Sequence, residues 1–352
     1  MAEQGDAAST PQPRVSAAAT GQGASMAGAD LDPEIWQFIT AVGAAFAQYP
    51  PLASLSFPEA RRIAEEVRAP WAAGGPTMAR TFEYQIPTPT GDLRARIHDP
   101  GPAASKPALV YLHGGGWTLF SIDTHDRVMR EYAARAGIVV IGLDYPLAPE
   151  ARFPKALEQI AAALLWLSEH GTHIGIDSRR IALGGDSAGG NLTVATCLAL
   201  RDRGQGNTVS AMLLNYPAFS RECSPAMHRR YGGEGYMLAS DEMDAFWRNY
   251  LGDVSRGNDP LACPMQAQLE GLPPALLVIA ACDLLAEQGV SMADRLRAAR
   301  VPTDIRIYAG ASHSFLEAVS IAAVSRRAFD ESAAWLRGVL GLGARADGGA
   351  RE

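Results

Sequence analysis

Between residues 31 and 81 the apolar positions follow a helical period. Ile35, Phe38, Ile39, Val42 and Phe46 fall at i, i+3, i+4, i+7 and i+11, tracing one face of a helix. Asp32 followed by Pro33 supplies an N-cap and a proline at the first helical position. A second helix is predicted from Ser56 or Pro58 through Arg61–Val67, and no strand is expected here. From residue 82 the pattern changes to short apolar, β-branched runs: Phe82–Ile86, Leu93–His98, Ala108–Leu112, Ile138–Leu143, Arg180–Leu183, Val209–Asn215, Ala275–Ala280 and Asp304–Tyr308. Helical patterns at Arg127–Ala136, Phe153–His170, Ala188–Arg203 and Leu285–Ala299 lie between the later runs, and Ala322–Leu340 follows the last. Ile160, Leu164 and Leu167 give one of these helices a single apolar face. Eight buried strands alternating with helices imply an α/β fold with a mostly parallel sheet covered on both sides.

The alternation breaks between Ala218 and Pro273, where Tyr231, Tyr236, Phe246, Trp247 and Tyr250 mark an aromatic-rich insertion between two strands. The ends differ from the rest. Residues 1–30 hold nine Ala and four Gly but no Leu, Ile, Phe, Trp or Tyr, so they are expected to form a disordered tail. They have neither a basic n-region nor an apolar h-region, and so do not read as a secretory signal; Met26 is a candidate natural start. Residues 341–352 are expected to be a second loose tail.

Composition narrows the class. At 352 residues with 47% hydrophobic and 20% charged residues, the chain can build a large core. A formal net charge of −7 without a basic stripe argues against nucleic acid as a partner. No apolar run reaches the length of a membrane span. Cys197, Cys223, Cys263 and Cys282 form no CxxC pair and no disulfide framework. These features point to a cytoplasmic enzyme.

Gly185-Asp186-Ser187-Ala188-Gly189 is a GxSxG motif set between a strand and a helix pattern. A sharp strand-to-helix turn of this kind strains the serine backbone and exposes its Oγ as a nucleophile. The alternative is a glycine-rich phosphate turn, but the spacing is neither GxxxxGK[ST] nor GxGxxG. Upstream, the strand Ala108–Leu112 runs into His113-Gly114-Gly115-Gly116-Trp117. Acyl transfer builds negative charge on a carbonyl oxygen, and each pre-aimed N–H donor is worth ~3–4 kcal/mol in a dry site. The amides of Gly114, Gly115 and Ala188 are the expected donors.

The serine needs a base, and the base an orienting acid. In hydrolases with this elbow the chain order is Ser, acid, His. Only His228 and His313 follow Ser187. His228 adjoins Arg229 and Arg230 in the insertion and reads as surface; His313 sits in a small-residue loop just after a strand and is the expected base. Asp283, past the end of the strand Ala275–Ala280, is the favoured acid, with Glu287 the runner-up. Three signals stay weak. His170 and His173 lack a nearby third ligand, Asp123-Thr124-His125-Asp126 reads as a capped helix start, and Cys282 reads as an inert buried thiol.

Together these residues resemble the hormone-sensitive-lipase-like branch of the α/β-hydrolase fold, the bacterial family IV esterases, over roughly residues 80–340. The matching blocks are His113–Trp117, Asp144-Tyr-Pro-Leu-Ala-Pro-Glu150 with Phe153-Pro154, Gly185–Gly190, Asp283–Gly289 and His313-Ser-Phe315. The family usually carries Arg, Pro and Gly where Pro146, Leu284 and Ser314 stand here. The resemblance implies a helical cap built from 31–80 and 218–262 over a catalytic domain of 81–217 and 263–340. It implies a serine carboxylesterase for short- to medium-chain acyl esters, with no metal or organic cofactor. A homodimer through an edge strand would fit the family. An amidase, aryl-formamidase or carbamate hydrolase with the same triad is the alternative, followed by a long-chain lipase and a non-catalytic small-molecule binder. Trp117 is expected to line the substrate pocket, with Trp36, Phe38, Tyr236 and Trp247 as further candidates.

Overall fold

In the computed structural model, which describes residues 28–101 and 105–343, eight strands form one sheet in the order β1-β2-β4-β3-β5-β6-β7-β8. The strands are β1 (Arg80–Ile86), β2 (Leu93–Asp99), β3 (Lys106–Leu112), β4 (Val139–Leu143), β5 (Ile176–Asp186), β6 (Ala211–Asn215), β7 (Ala275–Ala280) and β8 (Thr303–Tyr308). Strand β2 pairs antiparallel with β1 and with β4, and every later pairing is parallel. The helices are α1 (Pro33–Phe46), α2 (Phe57–Ala72), α3 (Asp126–Ala136), α4 (Lys155–His170), α5 (Ala188–Asp202), α6 (Pro225–Tyr231), α7 (Ser240–Leu251), α8 (Ala286–Ala298) and α9 (Ala323–Val339).

Local chemistry accounts for the elements. Asp32 caps α1, its Oδ1 accepting the Glu34 N–H at 2.8 Å, and the expected face of that helix is buried throughout. Ser56 caps α2 in the same way through the Glu59 N–H. Strands β3, β4, β6 and β7 are buried along their whole length, as residues covered by helices on both faces must be. Strand β8 is the sheet's edge, and Ile307 on it is 57% exposed.

Strand β5 runs further than its apolar core suggests, through Gly184 and Gly185 to Asp186. Glycines weaken a strand pattern in sequence, yet here they let neighbouring backbones close in. A Cβ on Gly184 would lie 2.8 Å from the Leu213 Cβ. Register then decides where chemistry can sit. Leu112 pairs with Gly185, Asp186 with Asn215 and Ala280 with Tyr308, so the carboxyl ends of β3, β5, β6, β7 and β8 share one edge of the sheet. The loops leaving that edge carry Ser187, Asp283, His313 and the glycine loop His113–Trp117, as open α/β sheets place their sites.

Of the segments expected to cap the site, 31–80 contains α1 and α2 and 218–262 contains α6 and α7. Of the expected tails, residues 1–27 and 344–352 lie outside the described residues. Gly28 starts a turn closed by the Leu31 N–H, and Asp30 accepts hydrogen bonds from Tyr236, Tyr231 and Arg230. Among the described residues no helix is long and apolar enough to cross a membrane.

Leu213 lies fully buried in the middle of β6. Leu213→Ala is expected to cost about 2–5 kcal/mol, seen in urea unfolding as a lower midpoint at unchanged slope.

Candidate active site

Ser187 stands between β5 and α5 with φ 54° and ψ −116°, a backbone conformation that side chains other than glycine rarely hold. Packing enforces it. The Ser187 N–H donates to the Asn215 carbonyl at 2.9 Å. A Cβ on Gly185 would lie 2.3 Å, and one on Gly189 1.9 Å, from the Leu112 carbonyl oxygen. The turn can close against the end of β3 only because both positions are glycine. Ser187 is 6% exposed.

The acid and the base come from adjacent strand ends. The Ala281 N–H bonds to the Tyr308 carbonyl and the Cys282 N–H to the Ala311 carbonyl, which ties the two loops together. His313 Nδ1 donates to Asp283 Oδ2 at 2.7 Å, and Nε2 accepts from Ser187 Oγ at 2.9 Å. The Leu285 N–H holds the other Asp283 oxygen at 3.0 Å. Glu287 takes no part; it lies on α8 beside Gln288 and Cys223, in the wall of a separate cavity. The exposed His228 bonds the Ser240 hydroxyl, as a surface residue would.

The glycine loop after β3 requires one correction. The Gly114 N–H, expected to be an oxyanion donor, is committed to Asp186 Oδ1 at 3.1 Å. Gly115 and Gly116, at φ 105° and 58°, line the cavity over Ser187 instead. The N–H groups of Gly115, Gly116 and Ala188 have no partner among the described residues. A Cβ on Gly116 would lie 2.1 Å from Cγ of Phe246, so α7 packs directly on this loop.

Asp186 organises the space beneath the nucleophile. Its Oδ1 accepts from the Tyr111 hydroxyl at 2.9 Å as well as from Gly114, and its Oδ2 meets His125 Nε2 at 3.3 Å. Both side chains are buried. Burial pushes the Asp186 carboxyl up, but His125 and Tyr111 outweigh it and hold the group below its ordinary value. For His125 burial pulls down, and the Asp186 charge more than offsets it, so the imidazole stays protonated above its ordinary value. His113, 5.6 Å from His125 between ring centres, is driven down to about 3 by burial and by the neighbouring positive charge. Its neutral ring stacks on Tyr145, whose hydroxyl donates to the His113 carbonyl. His125 lies in what reads in sequence as a capped helix start; its side chain makes no capping bond and serves Asp186, 61 positions away in the chain.

The cavity above Ser187 is small, with a volume of about 40 Å³, and is partly open to solvent. Its apolar wall comes from Leu119, Phe120, Leu238, Met243 and Phe246 rather than from the expected aromatic residues. Trp117 lies behind this wall, stacked on Tyr250 at 4.3 Å and 1% exposed. Trp247 also packs on Trp117, Phe38 packs on Trp71, and Tyr236 binds Asp30. Trp36 is half-buried against the core. His170 and His173 stand near each other, but among the described residues no group of three metal-ligating side chains forms. Burial pushes the Cys282 thiol up to about 11, consistent with an inert group.

Residues 109–317 match the family model described as the alpha/beta hydrolase fold. The chain is 37% identical over 263 residues to "Carboxylic ester hydrolase LipN" of Mycobacterium tuberculosis, covering 73% of this chain and 70% of the relative. It is 35% identical over 248 residues to "Acetyl esterase" of Salmonella agona, covering 70% and 76%. It superposes on a hyperthermophilic esterase of the archaeon Pyrobaculum calidifontis with a TM-score of 0.82 at 34% identity, covering 88% of this chain and 98% of that one.

Asp186→Asn removes the charge that holds His125 and weakens the grip on Gly114. A loss of ~10²-fold in kcat, with a smaller change in KM, is expected from steady-state kinetics. His125 has its pKa raised on folding, so its contribution to stability is full below about 6.5 and is lost as pH rises through the raised value. Denaturation of wild type and His125→Gln across pH 5–9 should show their stability gap narrowing toward alkaline pH.

Proposed function

The chain belongs to the α/β-hydrolase family, in its hormone-sensitive-lipase-like branch, and is a carboxylic ester hydrolase; from that premise we propose that it cleaves short- to medium-chain acyl esters through an acyl-enzyme on Ser187. The observation that carries this reading is the continuous hydrogen-bonded line Asp283–His313–Ser187, opening on a cavity lined by Gly115 and Gly116, whose peptide N–H groups are uncommitted.

The steps follow from the distances. Ser187 Oγ already donates to His313 Nε2, so attack on a bound ester carbonyl passes the proton directly to that nitrogen. The imidazolium that forms is held by Asp283 through Nδ1. Charge developing on the carbonyl oxygen is received by the N–H groups of Gly115, Gly116 and Ala188. Ala188 opens α5, so its N–H adds the positive end of the helix dipole. Collapse expels the alcohol, which takes the proton from His313. Water then attacks the acyl-enzyme with His313 as base again, releasing the acid and restoring Ser187.

The modest cavity, closed by Phe120, Met243 and Phe246, supports short acyl chains. Trp117 acts in this reading from behind the wall, by packing the glycine loop onto α7 rather than by touching substrate.

Ser187→Ala is expected to lower kcat by ~10⁴–10⁶-fold in folded protein. Initial rates on p-nitrophenyl esters from acetyl to palmitoyl should peak at short chains. Near-normal turnover by the mutant would overturn the acyl-enzyme, and a maximum at palmitoyl would overturn the chain-length reading. An anilide cleaved as fast as its matched ester would favour the amidase alternative.

A further inference from the structure

Two ionisable side chains in the cavity wall have no place in the triad mechanism: Arg68 on α2 and Glu242 on α7. They are 3% and 4% exposed, so neither is a solvated surface group. Arg68 Nη1 donates to Glu317 Oε2 at 2.8 Å, and this carboxylate is as buried as the guanidinium. Nη2 reaches only the Met237 sulfur, a weak acceptor, at 3.5 Å. Nε has no partner among the described residues. The charge of Arg68 is therefore balanced while its donors are in surplus.

Glu242 is the reverse case. Among the described residues no cation bonds to it. Its Oε2 accepts the Ala239 N–H at 3.3 Å, and Oε1 makes no hydrogen bond among the described residues. The charged groups around it are Asp241 on its own helix and Arg68, with its partner Glu317, from across the cavity; His313 lines the same cavity. Burial pushes the Glu242 carboxyl up to about 8, Asp241 adds to the rise, and the Ala239 N–H and Arg68 oppose it. With its carboxyl raised in this way, the group favours the acid form at neutral pH and has an O–H to offer a ligand in the cavity.

We propose that Arg68 and Glu242 together bind a second, uncharged oxygen acceptor on the substrate, so that the preferred esters carry a keto or second ester carbonyl a few bonds from the one cleaved. The proposal rests on the ester-hydrolase reading above. The rest of the wall is apolar, so a polar substrate atom finds hydrogen bonds only at this pair and near the triad. A neutral acceptor fits better than an ion. A carboxylate would meet a guanidinium already neutralised by Glu317, and a cation would meet the guanidinium itself. A substrate without the acceptor leaves these buried donors unpaired, which is the arrangement that discriminates most strongly against a missing polar group.

The test compares kcat/KM for ethyl levulinate, ethyl pentanoate and monoethyl succinate; the first two have five-carbon acyl chains with and without a keto oxygen at C4, and in the third a carboxylate oxygen takes the place of the terminal methyl of levulinate. At pH 7 the wild type should prefer levulinate over pentanoate by about tenfold or more. The ratio should fall toward pH 9 as Glu242 ionises and ceases to donate, and titration of the triad cancels in it. Glu242→Gln, which keeps an N–H donor, should hold the preference at both pH values. Glu242→Leu should bring the ratio close to one. A wild-type ratio at or below one, an unchanged ratio in Glu242→Leu, or a preference for monoethyl succinate would each overturn the proposal. Should Glu242→Leu not fold, the pH profile of the ratio in wild type against Glu242→Gln decides, and matching profiles overturn it. Hydrolysis of p-nitrophenyl acetate, lost in Ser187→Ala, is measured alongside. Its absence in wild type overturns the underlying ester reading, whereas its presence with a ratio near one overturns acceptor recognition alone.

Discussion

A carboxylate sealed at the end of a sheet must be compensated on every side, and Asp186 is. Tyr111 reaches it from β3, the Gly114 N–H from the loop after β3, and His125 from the start of α3. Breaking such a buried pair by deleting one partner costs about 3–5 kcal/mol, because the survivor stays charged and dry. The residue so constrained immediately precedes Ser187. The ionic requirement of one side chain thus fixes the nucleophile's turn and the glycine loop relative to each other. The sheet register adds the third support, since Asn215, opposite Asp186, holds the Ser187 N–H from β6.

The molecule carries its buried charges in two ways. Arg68 and Glu317 neutralise each other and join α2 to the turn just beyond His313. Asp186 and His125 do the same beneath the nucleophile. Glu242 has no such counterpart and responds by holding a proton instead. Paired charges fasten elements together, while the unpaired acid leaves hydrogen-bonding capacity facing the cavity.

Much of this arrangement is legible in the sequence because the relevant signals are local. The eight strands show as apolar runs, and Ser187, Asp283 and His313 each follow one, so strand ends alone locate them along the chain. What sequence hides is which groups meet across the sheet. The loop His113–Trp117 announces spare N–H donors but not that Gly114 spends its own on Asp186. His125 looks like part of a helix start because its partner lies on another strand end. Aromatic content points to Tyr236 and Trp247 as a pocket lining, yet Trp247 packs on Trp117, Tyr236 binds Asp30, and leucine, methionine and phenylalanine side chains face the serine. Hydrophobicity marks these residues as buried without saying on which side of the wall they lie.

The absence of a side chain at position 116 has a mechanical meaning. Phe246 occupies the volume that a Cβ there would need, so a helix from the insertion between β6 and β7 rests directly on the peptide groups that face the serine. Helix and loop therefore cannot shift as independent bodies. Lifting α7 to admit a bulkier molecule removes the support that keeps those N–H groups aimed, so widening the entrance and blunting the donors become one movement.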